Sequence, residues 1–231
     1  MAKPLIILGA GGNAYDVLDI VDAINASSPV WSVRGFLDDR RPVGTDYLSI
    51  KILGRLAAAG DFDGCWFINA VRNETTHARM QEILAVTGVA PARFATLVHP
   101  QASVSSRAEL GCGVYVNYGV SVAGGVTLGH HVSLGPGCIV GHDTQIDDYG
   151  IVAAGAVLSG GVRVRERCYI GSGAMIRQQI TIGRAALVGL GAVVVRDVDA
   201  GTVVVGNPAR VLVPRENHRE TTPKFIAGAI Q

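Results

Sequence analysis

The chain has 231 residues, a mass of 24.1 kDa, a net charge of +1 and a sequence pI near 7.7. This balance argues against nucleic acid or an anionic membrane as the main partner. Hydrophobic residues make up 48% and charged residues 17%, which excludes disorder over most of the chain. No apolar run approaches the roughly 18 residues of a membrane helix, and no secretory signal is recognisable. We therefore expect a cytoplasmic protein.

Four cysteines, Cys65, Cys112, Cys138 and Cys168, show no C-x-x-C spacing and lie among small or apolar residues. We interpret them as small packing residues in a reducing compartment, in preference to disulfide partners or metal ligands.

The first predicted elements surround a glycine-rich turn. Residues 5–8 read Leu-Ile-Ile-Leu, a buried strand, and an amphipathic helix extends to about Asn25. Between them the pattern G-x-G-x-x-A covers residues 9–14, where backbone N–H groups and the helix dipole can hold a phosphate. The same kind of turn also occurs without a ligand, and that alternative stays open. The predicted ligand contacts are Gly9, Gly11, Gly12 and Asn13.

A second strand, residues 33–37, ends in Asp38 and Asp39, an acidic pair placed where a ribose hydroxyl is often bound. A third strand precedes a helix that starts at about Glu74. These elements predict a small, Rossmann-like parallel α/β domain over residues 1–97. Because it contains one mononucleotide-binding half and not two, a mononucleotide or a nucleotide sugar is favoured over NAD.

The second half of the sequence carries a six-residue repeat. Every sixth residue from Val98 to Val194 is aliphatic, seventeen in succession without a slip. The residue four places after each of these is small or apolar, and glycine often follows the aliphatic residue. A period of six fits neither a helix nor an alternating strand, but it fits a short strand followed by a tight corner. The repeat predicts a parallel β-solenoid with its aliphatic side chains inside.

This pattern resembles the hexapeptide repeat of left-handed β-helix acyltransferases over roughly residues 98–210. The resemblance implies three hexads per triangular coil, so that seventeen hexads make almost six coils. The predicted fold class is α/β plus β, a small Rossmann-like domain followed by a left-handed parallel β-helix. No insertion interrupts the phase, unlike relatives in which long loops help to form the active site.

The order of the two parts narrows the resemblance. The GAGG turn, residues 36–39 (Phe-Leu-Asp-Asp) and residues 97–100 (Leu-Val-His-Pro) resemble the nucleotide-sugar acetyltransferases. This family includes UDP-4-amino-sugar and GDP-perosamine N-acetyltransferases and the sialic-acid O-acetyltransferase type. It implies a nucleotide-sugar-binding domain at 1–97, an acetyltransferase domain at 98–212 and a tail at 213–231. It further implies acetyl-CoA as co-substrate, no metal, and a C3 homotrimer with active sites between neighbouring prisms.

His142 is the candidate catalytic residue. Corner residues on one edge of the solenoid recur every 18 positions, so Gly124 and Gly160 lie one coil before and one coil after it. An exposed imidazole between glycines can admit a thin thioester arm, although a surface histidine of no catalytic role fits the position too. The resemblance implies that His142 is the general base, that Asp143 keeps it basic or orients it, and that a backbone N–H at Gly160 stabilises the oxyanion.

Residues 206–210, Gly-Asn-Pro-Ala-Arg, resemble the G-[NV]-P-A-[KR] signature found near the nucleotide end of CoA in these enzymes. A simple proline turn after the last coil is the alternative. The resemblance implies CoA contacts at Asn207, Pro208, Ala209 and Arg210, and a pantetheine groove at Gly160, Ser172, Gly189, Leu190 and Gly191.

Three positions depart from the family pattern. Ile151 stands where a second histidine is common, and Gly135 where asparagine is common. Arg72 and Asn73 occupy a turn that usually reads A-I-G-N-N, and Arg72 could contact a phosphate or form a surface pair. Because of Ile151 and Gly135, sugar O-acetylation and a non-catalytic nucleotide-sugar-binding role stay as alternatives to amine acetylation.

A zinc site of the γ-carbonic-anhydrase type uses the same kind of prism. It needs a pair of histidines five residues apart and a third about two coils away. Residues 137 and 147 are glycine and aspartate, and the adjacent pair His130 and His131 falls on a different edge from His142. We therefore expect no metal.

Overall fold

The structure is a computed structural model that describes residues 1–213. The predicted tail, residues 213–231, lies outside the described residues apart from Val213. The N-terminal elements are β1 (Lys3–Leu8), α1 (Asn13–Asn25), β2 (Trp31–Leu37), β3 (Asp46–Tyr47), β4 (Ile50–Gly54), β5 (Trp66–Asn69) and α2 (Met80–Ala85), with 3-10 helices at Leu56–Asp61, His77–Arg79 and Pro91–Arg93.

These strands form one sheet in the order β3-β4-β2-β1-β5. β1 pairs in parallel with β2 and β5, and β2 pairs in parallel with β4. Leu5, Ile6, Ile7 and Leu8 are fully buried, because α1 packs on one face of β1 and α2 with its neighbouring turns packs on the other. A strand covered on both faces needs a continuous apolar run, which is what residues 5–8 provide.

Two local features differ from the prediction. The second helix begins at Met80 and not near Glu74, because the side chain of Asn73 accepts the N–H groups of Thr75 and Thr76 and holds a turn there. The antiparallel pair of β3 and β4 was not predicted, since β3 is only two residues long.

The repeat forms a triangular prism with three parallel faces, and its strands follow the predicted period of six. The strands are β6 (Leu97–Val98), β7 (Ser103–Val104), β8 (Glu109–Leu110), β9 (Tyr115–Val116), β10 (Ser121–Val122), β11 (Thr127–Leu128), β12 (Ser133–Leu134), β13 (Ile139–Val140), β14 (Gln145–Ile146), β15 (Ile151–Val152), β16 (Val157–Leu158), β17 (Arg163–Val164), β18 (Tyr169–Ile170), β19 (Met175–Ile176), β20 (Thr181–Ile182), β21 (Leu187–Val188), β22 (Val193–Val194), β23 (Val203–Val205) and β24 (Arg210–Val211).

We call the eight-stranded sheet from β6 to β24 face 1, the six-stranded sheet from β7 to β22 face 2, and the five-stranded sheet from β8 to β20 face 3. From β6 to β22 each strand pairs with the one 18 residues on, as the Ser133–Ile151 and Ile151–Tyr169 pairs on face 1 illustrate. The last coil is shorter, since Leu187 of β21 pairs with Val203 of β23. Only the last pair, β23 with β24, is antiparallel among the prism strands described. The arrangement is a left-handed β-helix of the acyltransferase type.

The prism is filled by the aliphatic residues of the repeat, and cysteines occupy two of the small corner positions. Cys138 and Cys168 are fully buried, and burial raises the pKa of their thiols to about 11 and about 12. All four cysteines are free. The burial of Cys138 and Cys168 agrees with their interpretation as packing residues, since such thiols are almost never ionised near neutral pH.

The N-terminal sheet is fastened to face 1 and to the edge between faces 3 and 1. The ring of His131 contacts Phe94 edge-on at 4.5 Å between centroids and stacks on Tyr149 at 5.4 Å. Nearby, His77 Nδ1 lies 2.7 Å from the carbonyl oxygen of Arg167. The two parts therefore share buried contacts. Within residues 1–213, no helix is long and apolar enough to cross a membrane.

Candidate functional site

His142 lies at the corner between β13 and β14, on the edge where face 2 meets face 3. Its side chain is 75% exposed, and its Nδ1 atom is 2.8 Å from Oδ2 of Asp143. Asp143 has a left-handed backbone, with φ of 59°, which turns its carboxylate toward the preceding side chain. A carboxylate on Nδ1 fixes the tautomer in which Nε2 carries the lone pair. The pair is therefore arranged to accept a proton at Nε2.

Glycines make room for both side chains. A β-carbon added to Gly160 would lie 2.5 Å from Nε2 of His142, so the imidazole extends over the next coil. A β-carbon on Gly125 would collide with the Asp143 carboxylate. The N–H group of Gly160 makes no hydrogen bond within the described chain, which leaves it available beside Nε2.

The glycine-rich turn joins β1 to α1. Gly9 has a φ of 95°, and a β-carbon there would meet Val71 at 2.5 Å. Gly11 and Gly12 are exposed, and their N–H groups have no partner within residues 1–213. No side chain caps α1. The start of the helix therefore presents unpaired donors, as an anion site requires.

The acidic pair at the end of β2 is engaged with the backbone. Asp38 accepts hydrogen bonds from the N–H groups of Ala10, at 2.7 Å, and of Arg40 and Arg41. Asp39 accepts the N–H of Leu56. Both carboxylates thus hold loops in place, a role the spacing alone did not predict.

Asn13 and Arg72 connect the glycine turn to the loop after β5. The amide of Asn13 donates to the carbonyl oxygens of Ala70, at 3.2 Å, and of Arg72, at 2.6 Å. Arg72 is 7% exposed, and its guanidinium lies 3.5 Å from the centre of the Tyr115 ring on face 1. Burial lowers the pKa of Arg72 to about 10. The turn, the loop and the prism therefore meet at this point.

A cleft of about 400 Å³ opens where these elements meet face 1. It brings together the predicted residues Gly12, Asn13, Arg72, Asn73 and Ser172. Its remaining lining residues are Asp16, Tyr115, Ser133, Gly135, Pro136, Ile151, Val152, Ala153, Ala154 and Tyr169.

The predicted CoA contacts lie mainly on the edge between faces 1 and 2. Ser172 follows β18 there, and Gly189, Leu190 and Gly191 follow β21 one coil later. Leu190 is 83% exposed, and a β-carbon on Gly191 would meet nothing within 4 Å. Beyond the last coil, Asn207, Pro208 and Arg210 are exposed, and the N–H of Ala209 donates to Val193 at 2.8 Å.

Neither a protein-family model nor a curated protein matches the sequence. Solved structures do match, and the acetyltransferase domain of PglB from Neisseria gonorrhoeae FA1090, in complex with acetyl coenzyme A, is 31% identical with a TM-score of 0.77. The match covers 92% of this chain and 100% of that one. The chain belongs to the hexapeptide-repeat nucleotide-sugar acetyltransferases.

Two further structures of this family match over a similar range. A mutant of perosamine N-acetyltransferase from Caulobacter crescentus, in complex with CoA and GDP-perosamine, is 26% identical, with a TM-score of 0.79 over 91% of this chain and 97% of that one. WeeI from Acinetobacter baumannii AYE is 27% identical, with a TM-score of 0.77 over 90% and 99%.

Two of the positions singled out in the sequence lie in the cleft. Gly135 and Ile151, which depart from the family pattern, both line it. Tyr115, Ser133, Ile151 and Tyr169 form one column of face 1, 18 residues apart, and sequence reasoning missed their role. The 18-residue spacing was a usable signal, but only the fold shows which of the three faces the N-terminal sheet covers.

Within residues 1–213, no group of three or more His, Cys, Asp or Glu side chains could hold a metal ion. His131 is 9% exposed and packed between aromatic rings, and burial lowers its pKa to about 4. His130 accepts the N–H of Cys112 through Nδ1 at 3.0 Å. His131 therefore serves the junction between prism and N-terminal sheet, whereas the hydrogen bond of His130 lies within the prism.

Proposed function

We propose that this acetyltransferase moves the acetyl group of acetyl-CoA to the amine of a nucleotide-linked amino sugar, with His142 as general base. The observation that carries the proposal is the His142–Asp143 pair, 2.8 Å apart and extended over Gly160 on an exposed edge. The solved relatives support the substrates, since they hold acetyl-CoA, or CoA with GDP-perosamine.

The chemistry is a direct transfer. Nε2 of His142 takes a proton from the sugar amine as its nitrogen attacks the thioester carbonyl. The N–H of Gly160 donates to the oxygen that becomes negative. The carbon–sulfur bond then breaks, and the proton leaves with the CoA thiolate. No covalent enzyme intermediate is needed, because the amine attacks the thioester directly. The buried thiols of Cys138 and Cys168 are kept protonated and are poor nucleophiles.

We propose CoA contacts along the edge between faces 1 and 2. A β-carbon added to Gly191 would meet nothing within 4 Å, which leaves space there for a pantetheine arm, and Ser172 adds a hydroxyl. Arg210 is exposed and forms no ion pair within the described chain, so it is free to bind a CoA phosphate. The proposed contacts on or beyond this edge are Ser172, Gly189, Leu190, Gly191, Asn207, Pro208, Ala209 and Arg210. Gly160, on the edge between faces 2 and 3, is the proposed contact beside His142.

The nucleotide sugar is proposed to bind to the Rossmann-like part, residues 1–97, while residues 98–212 supply the acetyltransferase site. Unpaired N–H groups at Gly11 and Gly12 suit the diphosphate. Asp38 and Asp39 already accept backbone donors, and each carboxylate keeps lone pairs for a ribose hydroxyl. The proposed substrate contacts are Gly9, Gly11, Gly12, Asn13, Asp38, Asp39, Arg72 and Asn73.

We further propose a homotrimer, because the cleft and His142 lie on different edges of one chain. Face 2 lies between these edges, and its outward residues include Ile139, 48% exposed, and Met175, 55% exposed. Face 3 instead presents polar residues such as Gln145 and Arg163. Packing through face 2 places His142 of one copy beside the cleft edge of the next, and repeating that contact closes a ring.

The direct test is release of free thiol from acetyl-CoA with UDP-, GDP- and CMP-sugars that carry or lack a 4-amino group. Turnover with an amino sugar, lost in the His142→Ala variant with the oligomer intact, is the expected result. Turnover with only hydroxyl acceptors would favour O-acetylation. No thiol release with any sugar, while nucleotide sugars still raise the melting temperature, would favour a binding protein.

Mixing two inactive variants tests whether the site lies between copies. His142→Ala removes the base, and Ser172→Trp fills the cleft edge without touching His142. If each site joins the two edges of different chains, random co-assembly restores roughly one quarter of the activity. No recovery would show that one chain supplies the whole site.

A further inference from the structure

We infer that Arg72 binds an oxyanion of the acceptor substrate inside the cleft, and so helps to select which nucleotide sugar this chain accepts. The inference deepens the proposed function and rests on it. Family membership does not require the residue, since Arg72 stands where the family pattern has glycine. The inference is based on the burial, the unpartnered Nε atom and the fixed orientation of the Arg72 guanidinium in this structure.

Arg72 is a buried cation, and its acidic neighbour in the cleft, Asp16, makes no direct ion pair with it. The arginine is only 7% exposed, and no carboxylate of residues 1–213 lies within 4.0 Å of its nitrogens. Its Nε atom is buried and has no hydrogen-bond partner in the described chain. An unpaired buried charge is costly, and proteins normally pair it. A bound anion would supply the missing partner.

The guanidinium is held in a fixed orientation. Its plane rests on the Tyr115 ring, at 3.5 Å from the ring centre, and Nη2 donates to the carbonyl oxygen of Asn69. The backbone of the same residue is held by the amide of Asn13, which donates to the carbonyl oxygen of Arg72 at 2.6 Å. A planar fork fixed in this way is prepared for an oxyanion before the ligand arrives.

A second set of donors converges on the same cleft. Gly12 and Asn13, at the uncapped start of α1, line it together with Arg72. The dipole of a 13-residue helix adds positive potential at that point. Asp16 is the acidic residue of the lining. Burial raises its pKa, and the nearby charge of Arg72 opposes that rise. The local field therefore favours a negatively charged group.

Two parts of a nucleotide sugar could supply the oxyanion. One is the diphosphate, which the α1 N-terminus would share with Arg72. The other is a carboxylate on the sugar ring. Calorimetric titration separates them with UDP and GDP, their monophosphates UMP and GMP, and the pair UDP-glucose and UDP-glucuronate.

The test compares the wild type with Arg72→Gln, which keeps a planar amide but removes the charge. Arg34→Gln, on the exposed end of β2, is the matched control for loss of one arginine. We expect Arg72→Gln to weaken binding of the charged probe by roughly 10- to 100-fold, as for a charge-assisted hydrogen bond, while the control binds like the wild type. Arg72→Lys, which keeps the charge, should recover part of the loss.

The pattern of loss identifies the source. A loss for UDP or GDP and none for UMP or GMP assigns Arg72 to the diphosphate, and a loss confined to UDP-glucuronate assigns it to a sugar carboxylate. Equal affinities of wild type and Arg72→Gln for every probe would overturn the Arg72 inference and leave the proposed function standing. A lower melting temperature for Arg72→Gln with unchanged affinities would also overturn it, in favour of a structural role. If the wild type binds no probe, both the Arg72 inference and nucleotide-sugar binding fail. Thiol release from acetyl-CoA tests the acetyltransferase activity separately.

Discussion

The imidazole of His142 occupies the space over Gly160, with Nε2 only 2.5 Å from where a β-carbon of that glycine would stand. The glycine one coil earlier is different, since a β-carbon on Gly124 would meet its nearest neighbour, the Ser105 hydroxyl, at 3.6 Å. The His142 imidazole is therefore in close contact with the glycine of the following coil and not with the glycine of the preceding coil. This asymmetry separates two substitutions that look equivalent in the sequence.

Gly160→Ala should displace the His142 ring and lower kcat by roughly 10- to 100-fold, because small misplacements of a catalytic group are costly. Gly160 lacks a positive φ, so the substitution strains the ring and not the backbone. Steady-state acetylation kinetics measure the effect, with Gly124→Ala as the control. Equal rates for both variants would show that His142 does not act from its position over Gly160.

Asp143→Asn tests the hydrogen bond to Nδ1 of His142. Asparagine tolerates the left-handed backbone of this residue, so the corner should keep its shape. An amide can present a donor to Nδ1 and favour the wrong tautomer, and we expect kcat to fall by roughly 10- to 100-fold. The KM for acetyl-CoA should change little. A variant as fast as the wild type would leave Asp143 no part in catalysis.

His131 should make the protein sensitive to acid. Burial lowers the pKa of this histidine to about 4, below the value of about 6.5 expected after unfolding. The folded state thus resists protonation, so stability is complete above the unfolded pKa and falls as pH drops from 6.5 toward 4. The loss can reach about 3 kcal/mol.

Denaturant unfolding at pH 7.5 and pH 5 measures this loss. In His131→Phe, which keeps an aromatic ring between Phe94 and Tyr149, the difference between the two pH values should shrink. His130→Phe, on the neighbouring exposed position, is the control. An unchanged pH dependence in His131→Phe would assign the acid sensitivity to other groups.

Ile139→Glu and Met175→Glu should break the proposed trimer. Both side chains are about half exposed on face 2, so charge there opposes association and leaves the prism core intact. Sedimentation velocity should show monomers with an unchanged circular dichroism spectrum. Arg163→Glu on face 3 should stay a trimer. If all three variants stay trimeric, the copies pack through another surface.

The prism could be predicted in detail, because its period of six fixes both the strands and the inward residues. Val140 and Leu158 are buried as the repeat requires, and His142 lies exposed at the predicted corner. The parallel strands β1, β2 and β5 were also predicted. β1 and β5 contain short apolar runs, whereas β2 includes Ser32 and Arg34 and is buried only toward its end at Phe36 and Leu37. The local sequence pattern is almost sufficient to predict these features.

The cleft could not be predicted, because it depends on where the two parts of the chain touch. Tyr115 and Ser133 read as ordinary outward residues of the repeat, yet both are buried beneath the N-terminal sheet. Asp16 lies on α1 one turn beyond Asn13, a spacing visible in the sequence that has no meaning until face 1 is placed beneath it. Packing between elements far apart in sequence decides such sites.

The 18-residue coil repeats without interruption from β6 to β22, so distances along an edge of the prism are set by the number of coils. Neighbouring coils stack at about 4.8 Å, so the separation between two groups on the same edge is a whole number of such steps. Deleting one full coil between Ser172 and Ala209 would keep every remaining residue in phase while moving the terminal loop one step closer. The number of repeats therefore sets the length of the acetyl-CoA donor that fits along this edge.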